Sequence, residues 1–121
     1  MSHRVLVVDD EPNIVISLEF LLKKEGFVVA VAGDGEAALQ QAEQFRPDLV
    51  LLDVMMPKKS GFEVCETLRA NPALAGVKIV MLTARGRETE VTKGLALGAD
   101  AYVTKPFSTK DLVARIKTLL G

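Results

Sequence analysis

The chain has 121 residues, 49% of them apolar and 26% charged, with 15 Lys and Arg against 16 Asp and Glu and a net charge of −1. That composition suits one soluble globular domain over residues 1–121, able to bury about two-thirds of the surface its unfolded form exposes without a disulfide or a structural metal. It offers no dense basic run for direct nucleic-acid binding and no apolar run near the roughly 20 residues of a membrane span. With Cys65 alone it offers no internal disulfide either, so a reducing cytoplasm is the expected compartment.

The first apolar run, Val5 to Val8, reads as a strand that ends in Asp9-Asp10. Asp10-Glu11-Pro12 then opens a helix, with proline suited to the first turn, and Gly26 ends it. Ile14, Leu18, Leu21 and Leu22 share its core face. Ile16 and Phe20 lie four apart on the other side, where they would either seat a helix of a partner protein or touch the final helix. Phe27 to Val31 is a second strand, and a second helix runs from just after Gly35 to before Pro47. Leu49 to Leu52 is a third strand, ended by Asp53. Ser60, with Glu63 three residues on, has capping-box spacing and starts a third helix that stops near Asn71-Pro72. Cys65 falls in it among Phe62, Val64 and Leu68, where a small apolar residue fits.

Val77 to Leu82, with Met81 in the core, is a fourth strand ending at Thr83. A fourth helix, roughly Arg87 to Leu97, is weakened by Thr89, Thr92 and Gly94 and is the element expected to move most easily. Ala101 to Val103 leads into Lys105-Pro106. The last helix opens with Ser108 to Asp111 and carries Leu112, Val113, Ile116, Leu119 and Leu120 on one stripe. His3, the only histidine, has no Cys or His partner and is expected to be inert. Met56-Pro57-Lys58-Lys59 reads as a solvated loop.

Apolar runs without alternation are strands covered on both faces. Strict alternation with helices over short connections gives a doubly wound parallel α/β sheet. Ligands in such sheets bind at the carboxyl ends of the strands, where strand order reverses. Those ends carry Asp9, Asp10, Asp53, Thr83 and Lys105. One such residue is ordinary loop chemistry, but five at one sheet edge point to a site. Three converging carboxylates stay ionised near neutral pH only beside a cation, and hard oxygen ligands favour Mg²⁺. The Thr83 hydroxyl and the Lys105 charge suit the spread negative charge of a phosphoryl group, which leaves Asp53 as the nucleophile.

Val5-Leu-Val-Val-Asp-Asp-Glu-Pro12, Asp48-Leu-Val-Leu-Leu-Asp-Val-Met-Met-Pro-Lys-Lys-Ser-Gly61, Met81-Leu-Thr-Ala84 and Gly98-Ala-Asp-Ala-Tyr-Val-Thr-Lys-Pro-Phe107 together resemble a response-regulator receiver domain. The resemblance spans the whole chain and implies a flavodoxin-like sheet of order 2-1-3-4-5. It implies that Asp53 accepts a phosphoryl group from a sensor histidine kinase or histidine phosphotransfer protein. Asp10 and Asp53 would hold Mg²⁺ with the Met55 backbone carbonyl, Asp9 acting directly or through water, and Lys105, in a cis bond to Pro106, would bind the phosphoryl group. Thr83 and the Ala84 amide would shift toward the new phosphate, Tyr102 would rotate inward, and the surface of the fourth helix, fifth strand and fifth helix would change. A receiver standing alone would act on an effector protein; one within a longer chain would control a fused output domain. Neither Met55 nor Arg85 carries a carboxylate or amide to orient water, so slow to moderate hydrolysis is expected.

Three other readings compete. Gly33-Asp-Gly35-Glu-Ala-Ala38 imitates a dinucleotide fingerprint but leaves the sheet-edge residues unexplained. A Mg²⁺-dependent phosphohydrolase of the haloacid-dehalogenase kind would need a general acid where Met55 stands. A pseudo-receiver, a binding module that never takes phosphate, would ordinarily lack a site residue.

Overall fold

Side chains alternate across a strand, so a strand apolar at every position needs cover on both faces. The computed structural model, which describes residues 3–56, 59–84 and 88–121, shows that cover. Strands β1 (Arg4–Val8), β2 (Val28–Ala32), β3 (Leu49–Asp53), β4 (Lys78–Ala84) and β5 (Ala101–Lys105) alternate with helices α1 (Pro12–Lys24), α2 (Gly35–Phe45), α3 (Gly61–Ala70), α4 (Glu88–Ala96) and α5 (Thr109–Leu120). The strands form one parallel sheet in the order β2-β1-β3-β4-β5, the doubly wound flavodoxin-like arrangement. Leu6, Val8, Val50, Leu52, Ile79 and Met81 face a core completed by α2 and α3. Val5, Val7, Leu49, Leu51, Val80 and Leu82 face a second one, completed by α1 and α5. The central β3 is buried at all five positions, whereas β2 and β5, at the two edges, are only partly covered.

The helix ends follow local chemistry. Asp34 accepts from the Ala37 amide at 2.8 Å, and the Ser60 and Ser108 hydroxyls each accept from the amide three residues on, at 3.3 Å. Each such cap is worth about 1 kcal/mol. Past α1, Gly26 adopts φ +94°, a left-handed conformation that suits glycine.

Two strands outrun their sequence limits. Thr83 pairs with Thr104 and Ala84 with Lys105, so ladder hydrogen bonding carries β4 and β5 beyond their apolar runs and fixes these polar residues on the sheet itself. A 3₁₀ turn at Pro72–Leu74, capped by Asn71, was not foreseen. Also unforeseen is the Arg69 side chain, which donates to the carbonyls of Val77 at 2.6 Å and Gly98 at 2.8 Å and pairs with Asp100 at 2.6 Å. It ties the end of α3 to the start of β4 and the α4–β5 corner. Arg87, expected to open the fourth helix, lies outside the described residues. Among those residues no helix is long and apolar enough to cross a membrane.

Candidate functional site

β1 lies between β2 and β3, so the chains leaving β1 and β3 turn to opposite faces of the sheet and open a crevice at the carboxyl edge. Asp9 follows β1 and its amide extends the ladder to the Ala32 carbonyl at 3.2 Å, which leaves little choice in where its side chain goes. Asp9 is 1% exposed. Its Oδ1 accepts from the Glu11 amide at 2.9 Å and its Oδ2 from Lys105 Nζ at 2.8 Å. Asp53, the last residue of β3, is 6% exposed; its Oδ1 accepts from the Met55 amide at 3.4 Å and lies 3.5 Å from Lys105 Nζ. Asp10 is exposed at the mouth. One carboxylate oxygen from each of Asp9, Asp10 and Asp53 falls within 4.8 Å of the others.

Burial pushes the Asp53 carboxyl up to about 7, the neighbouring charge of Asp9 adds to the rise, and Lys105 offsets part of it. For Lys105, burial acts to lower the pKa. The hydrogen bond to Asp9 and the charges of Asp53 and Asp9 outweigh it, and the ammonium is held above its ordinary value. Three carboxylates against one ammonium leave excess negative charge in a partly dry crevice. An all-oxygen donor set of this kind fits a small hard divalent cation.

Thr83 Oγ1 is buried with no hydrogen-bond partner among the described residues, an uncommon state for a hydroxyl. Ala84, exposed one position on, pairs with Lys105 across the ladder. The Lys105–Pro106 bond is cis, as the resemblance implies. Tyr102 pairs with Met81 and is 39% exposed. Met55 is exposed beside the site, whereas Met56, expected in a solvated loop, packs against the first core. Pro57, Lys58 and Arg85 lie outside the described residues. Ile16 and Phe20 are 64% and 72% exposed. A groove of about 510 Å³, which neither of them lines, runs along Ile14, Ser17, Pro106 and Phe107 to Lys105.

Two features escaped the sequence reading. Glu11, taken only as a helix start, places Oε1 3.3 Å from Lys105 Nζ. The glycines at the heads of α2 and α3 permit close approach: a Cβ on Gly61 would collide with the Asp53 carbonyl oxygen, and one on Gly35 with Lys59 Cβ. Gly35 thus packs against the loop after β3, and Asp34 already fills the head of α2, which removes the basis for a dinucleotide site there.

The sequence model of the response regulator receiver domain matches residues 5–117. The chain belongs to the response-regulator receiver family. This receiver is 51% identical over 120 residues to the DNA-binding response regulator MtrA of Mycolicibacterium smegmatis, covering 99% of this chain and 51% of that protein. It is 48% identical to the alkaline phosphatase synthesis transcriptional regulatory protein PhoP of Bacillus subtilis, covering 99% of this chain and 49% of the relative. The chain therefore spans about half the length of these relatives. Among solved structures, a putative response regulator from Chloroflexus aurantiacus superposes with a TM-score of 0.95 at 37% identity, covering 99% of this chain and 98% of the other. The chemotaxis response regulator CheY4 of Vibrio cholerae gives 0.93 at 31% identity, with 98% and 99% covered.

Proposed function

We propose that this receiver, acting as one unit over residues 1–121, is a phosphorylation-driven switch whose acceptor is Asp53. The observation that carries the reading is the convergence of Asp9, Asp10 and Asp53 within 4.8 Å, with Lys105 Nζ 3.5 Å from the acceptor. A carboxylate oxygen of Asp53 attacks phosphorus of a phosphohistidine on a sensor kinase or phosphotransfer protein. The phosphorus–oxygen bond forms as the phosphorus–nitrogen bond breaks, and the imidazole leaves with the electron pair. Asp9, Asp10, Asp53 and the Met55 carbonyl are the groups that would hold Mg²⁺, which when bound would supply positive charge to a phosphoryl oxygen. Lys105 binds a second phosphoryl oxygen, and Asp9 holds the ammonium in place for it.

The product carries about −1.5 to −2 charge and three acceptor oxygens at the sheet edge. The Thr83 hydroxyl, with no partner among the described residues, is suited to donate to one of them, and the Ala84 amide to another. Tyr102 turns inward as Thr83 moves, and the surface of α4, β5 and α5 changes for a downstream effector or a fused output domain. A contact made in only one state is what shifts a two-state equilibrium. The exposed pair Ile16 and Phe20 on α1 is the docking point for a helix of the phosphodonor protein. The DNA binding named for MtrA belongs to that longer protein, and this chain carries no dense Lys and Arg run to supply it.

Intact mass after incubation with acetyl phosphate and Mg²⁺ tests the reading. Wild type gains one phosphoryl group and Asp53→Asn gains none; equal gain by both proteins contradicts the assignment. Sustained turnover of a phosphate ester would instead favour a phosphohydrolase, and an unmodified wild type a pseudo-receiver.

A further inference from the structure

Lys105 has more partners than its role in holding a phosphoryl group requires. Its Nζ lies 2.8 Å from Asp9, 3.3 Å from Glu11 and 3.5 Å from Asp53. The two nearer carboxylates differ in kind. The Asp9 side chain is fully buried and also accepts from the Glu11 amide, so its bond to Lys105 is a fixed part of the sheet edge. The Glu11 side chain is 60% exposed and can leave for water at little cost. Glu11 also occupies the N-cap of α1 yet makes no side-chain capping bond there. Its carboxylate instead reaches Lys105, on the far side of the groove shared with Ile14, Ser17, Pro106 and Phe107.

We infer that Glu11 is a positioning residue that occupies Lys105 in the resting receiver and must release it before a phosphoryl group can be bound. This rests on the proposed acceptor role of Asp53. An incoming phosphoryl oxygen needs the same ammonium and brings negative charge toward the Glu11 carboxylate, so Glu11 opposes acceptance by competition for the donor hydrogens and by repulsion. Both effects grow with the charge of the phosphodonor. Glu11 therefore discriminates against small dianions that reach the crevice unaided. A protein donor seated in the α1 groove would lie against Glu11 and could draw it off Lys105.

The test compares wild type and Glu11→Gln, which keeps shape and removes charge, with two small donors at two salt concentrations. With acetyl phosphate, Asp53 attacks phosphorus and acetate leaves with the bonding pair, no proton moving. With phosphoramidate, which carries less negative charge, the phosphorus–nitrogen bond of the nitrogen-protonated form breaks and ammonia leaves. Glu11→Gln gains roughly three- to tenfold in rate with acetyl phosphate at low salt, less with phosphoramidate, and the acetyl phosphate gain shrinks as salt is raised, because the Glu11 charge is solvent-exposed. Binding of beryllofluoride, a phosphoryl mimic that transfers nothing, tightens by a similar factor. An unchanged or slower variant overturns the inference while leaving Asp53 as acceptor. So does a gain that is equal for both donors and insensitive to salt, which would mark a general structural effect. A wild type modified by neither donor overturns both readings.

Discussion

Asp53 holds the conflict on which the chain's chemistry rests. A carboxyl pushed up to about 7 by burial and by Asp9 binds its proton more tightly in the folded protein than in the unfolded chain, where about 3.9 is ordinary. Its contribution to stability is therefore complete below pH 4 and is lost as pH rises through 7. In buffer without divalent ions, Asp53→Asn removes that loss and is about 1–2 kcal/mol more stable than wild type at pH 8, with little difference at pH 4. Urea unfolding at the two pH values measures this, and Mg²⁺ at pH 8 should raise the midpoint of wild type more than that of the variant. A variant less stable than wild type at pH 8 would mean that the acceptor carboxylate is already compensated. Met55 governs a different quantity. Its exposed thioether beside the site can neither orient nor deprotonate water, so Met55→Asn shortens the lifetime of the phosphorylated form by about tenfold. An unchanged decay in a phosphate-release assay would remove Met55 from the hydrolytic step.

Among the elements, α1 does two jobs. Leu18 and Leu22 are fully buried against the sheet, while Ile16 and Phe20 stand in solvent on the opposite side. Ile16→Asp should abolish transfer from the cognate histidine kinase and spare modification by acetyl phosphate, because the core face of α1 is untouched. Kinetics with both donors decide it, and parallel loss of the two activities would mean that the substitution damages the fold. The sequence carried α1 well: Pro12, the apolar periodicity and Gly26 are local signals that tertiary packing does not override. It carried the ends of β4 and β5 less well, because Thr83, Ala84 and Lys105 lie on strands only through pairing between segments distant in the chain. The same reason hid Glu11 and Arg69. Glu11 acts on a partner 94 residues away and Arg69 on partners 8 to 31 residues away, and nothing in Asp-Asp-Glu-Pro or Leu-Arg-Ala shows which way a long side chain turns. The glycines at the heads of α2 and α3 were visible as residues but not as points of contact.

On the scale of the whole molecule, the carboxyl edge of the sheet gathers Asp9, Asp10, Asp53 and Lys105, and structural ties lie around it. Arg69 fastens the α4–β5 corner to α3 and β4, and α4 itself is short, with Thr89, Thr92 and Gly94 lowering its helix propensity. A new phosphate at Asp53 would lie close to the ends of β4 and β5, where Asp53 pairs with Leu82 and Lys105 comes within 3.5 Å. The acidic crevice, the lysine and the hydroxyl were legible as a set because they end four of the five strands of an alternating pattern, and the parallel topology brings such ends together. The central claim is that this set makes Asp53 a cation-assisted phosphoryl acceptor. Its most direct test is to treat the protein with acetyl phosphate with and without Mg²⁺, trap the acyl phosphate by borohydride reduction, and locate the reduced residue by peptide mass. The account predicts label at Asp53 that depends on Mg²⁺. Label at Asp9 or Asp10, or label at Asp53 that is indifferent to chelation of the metal, would contradict it.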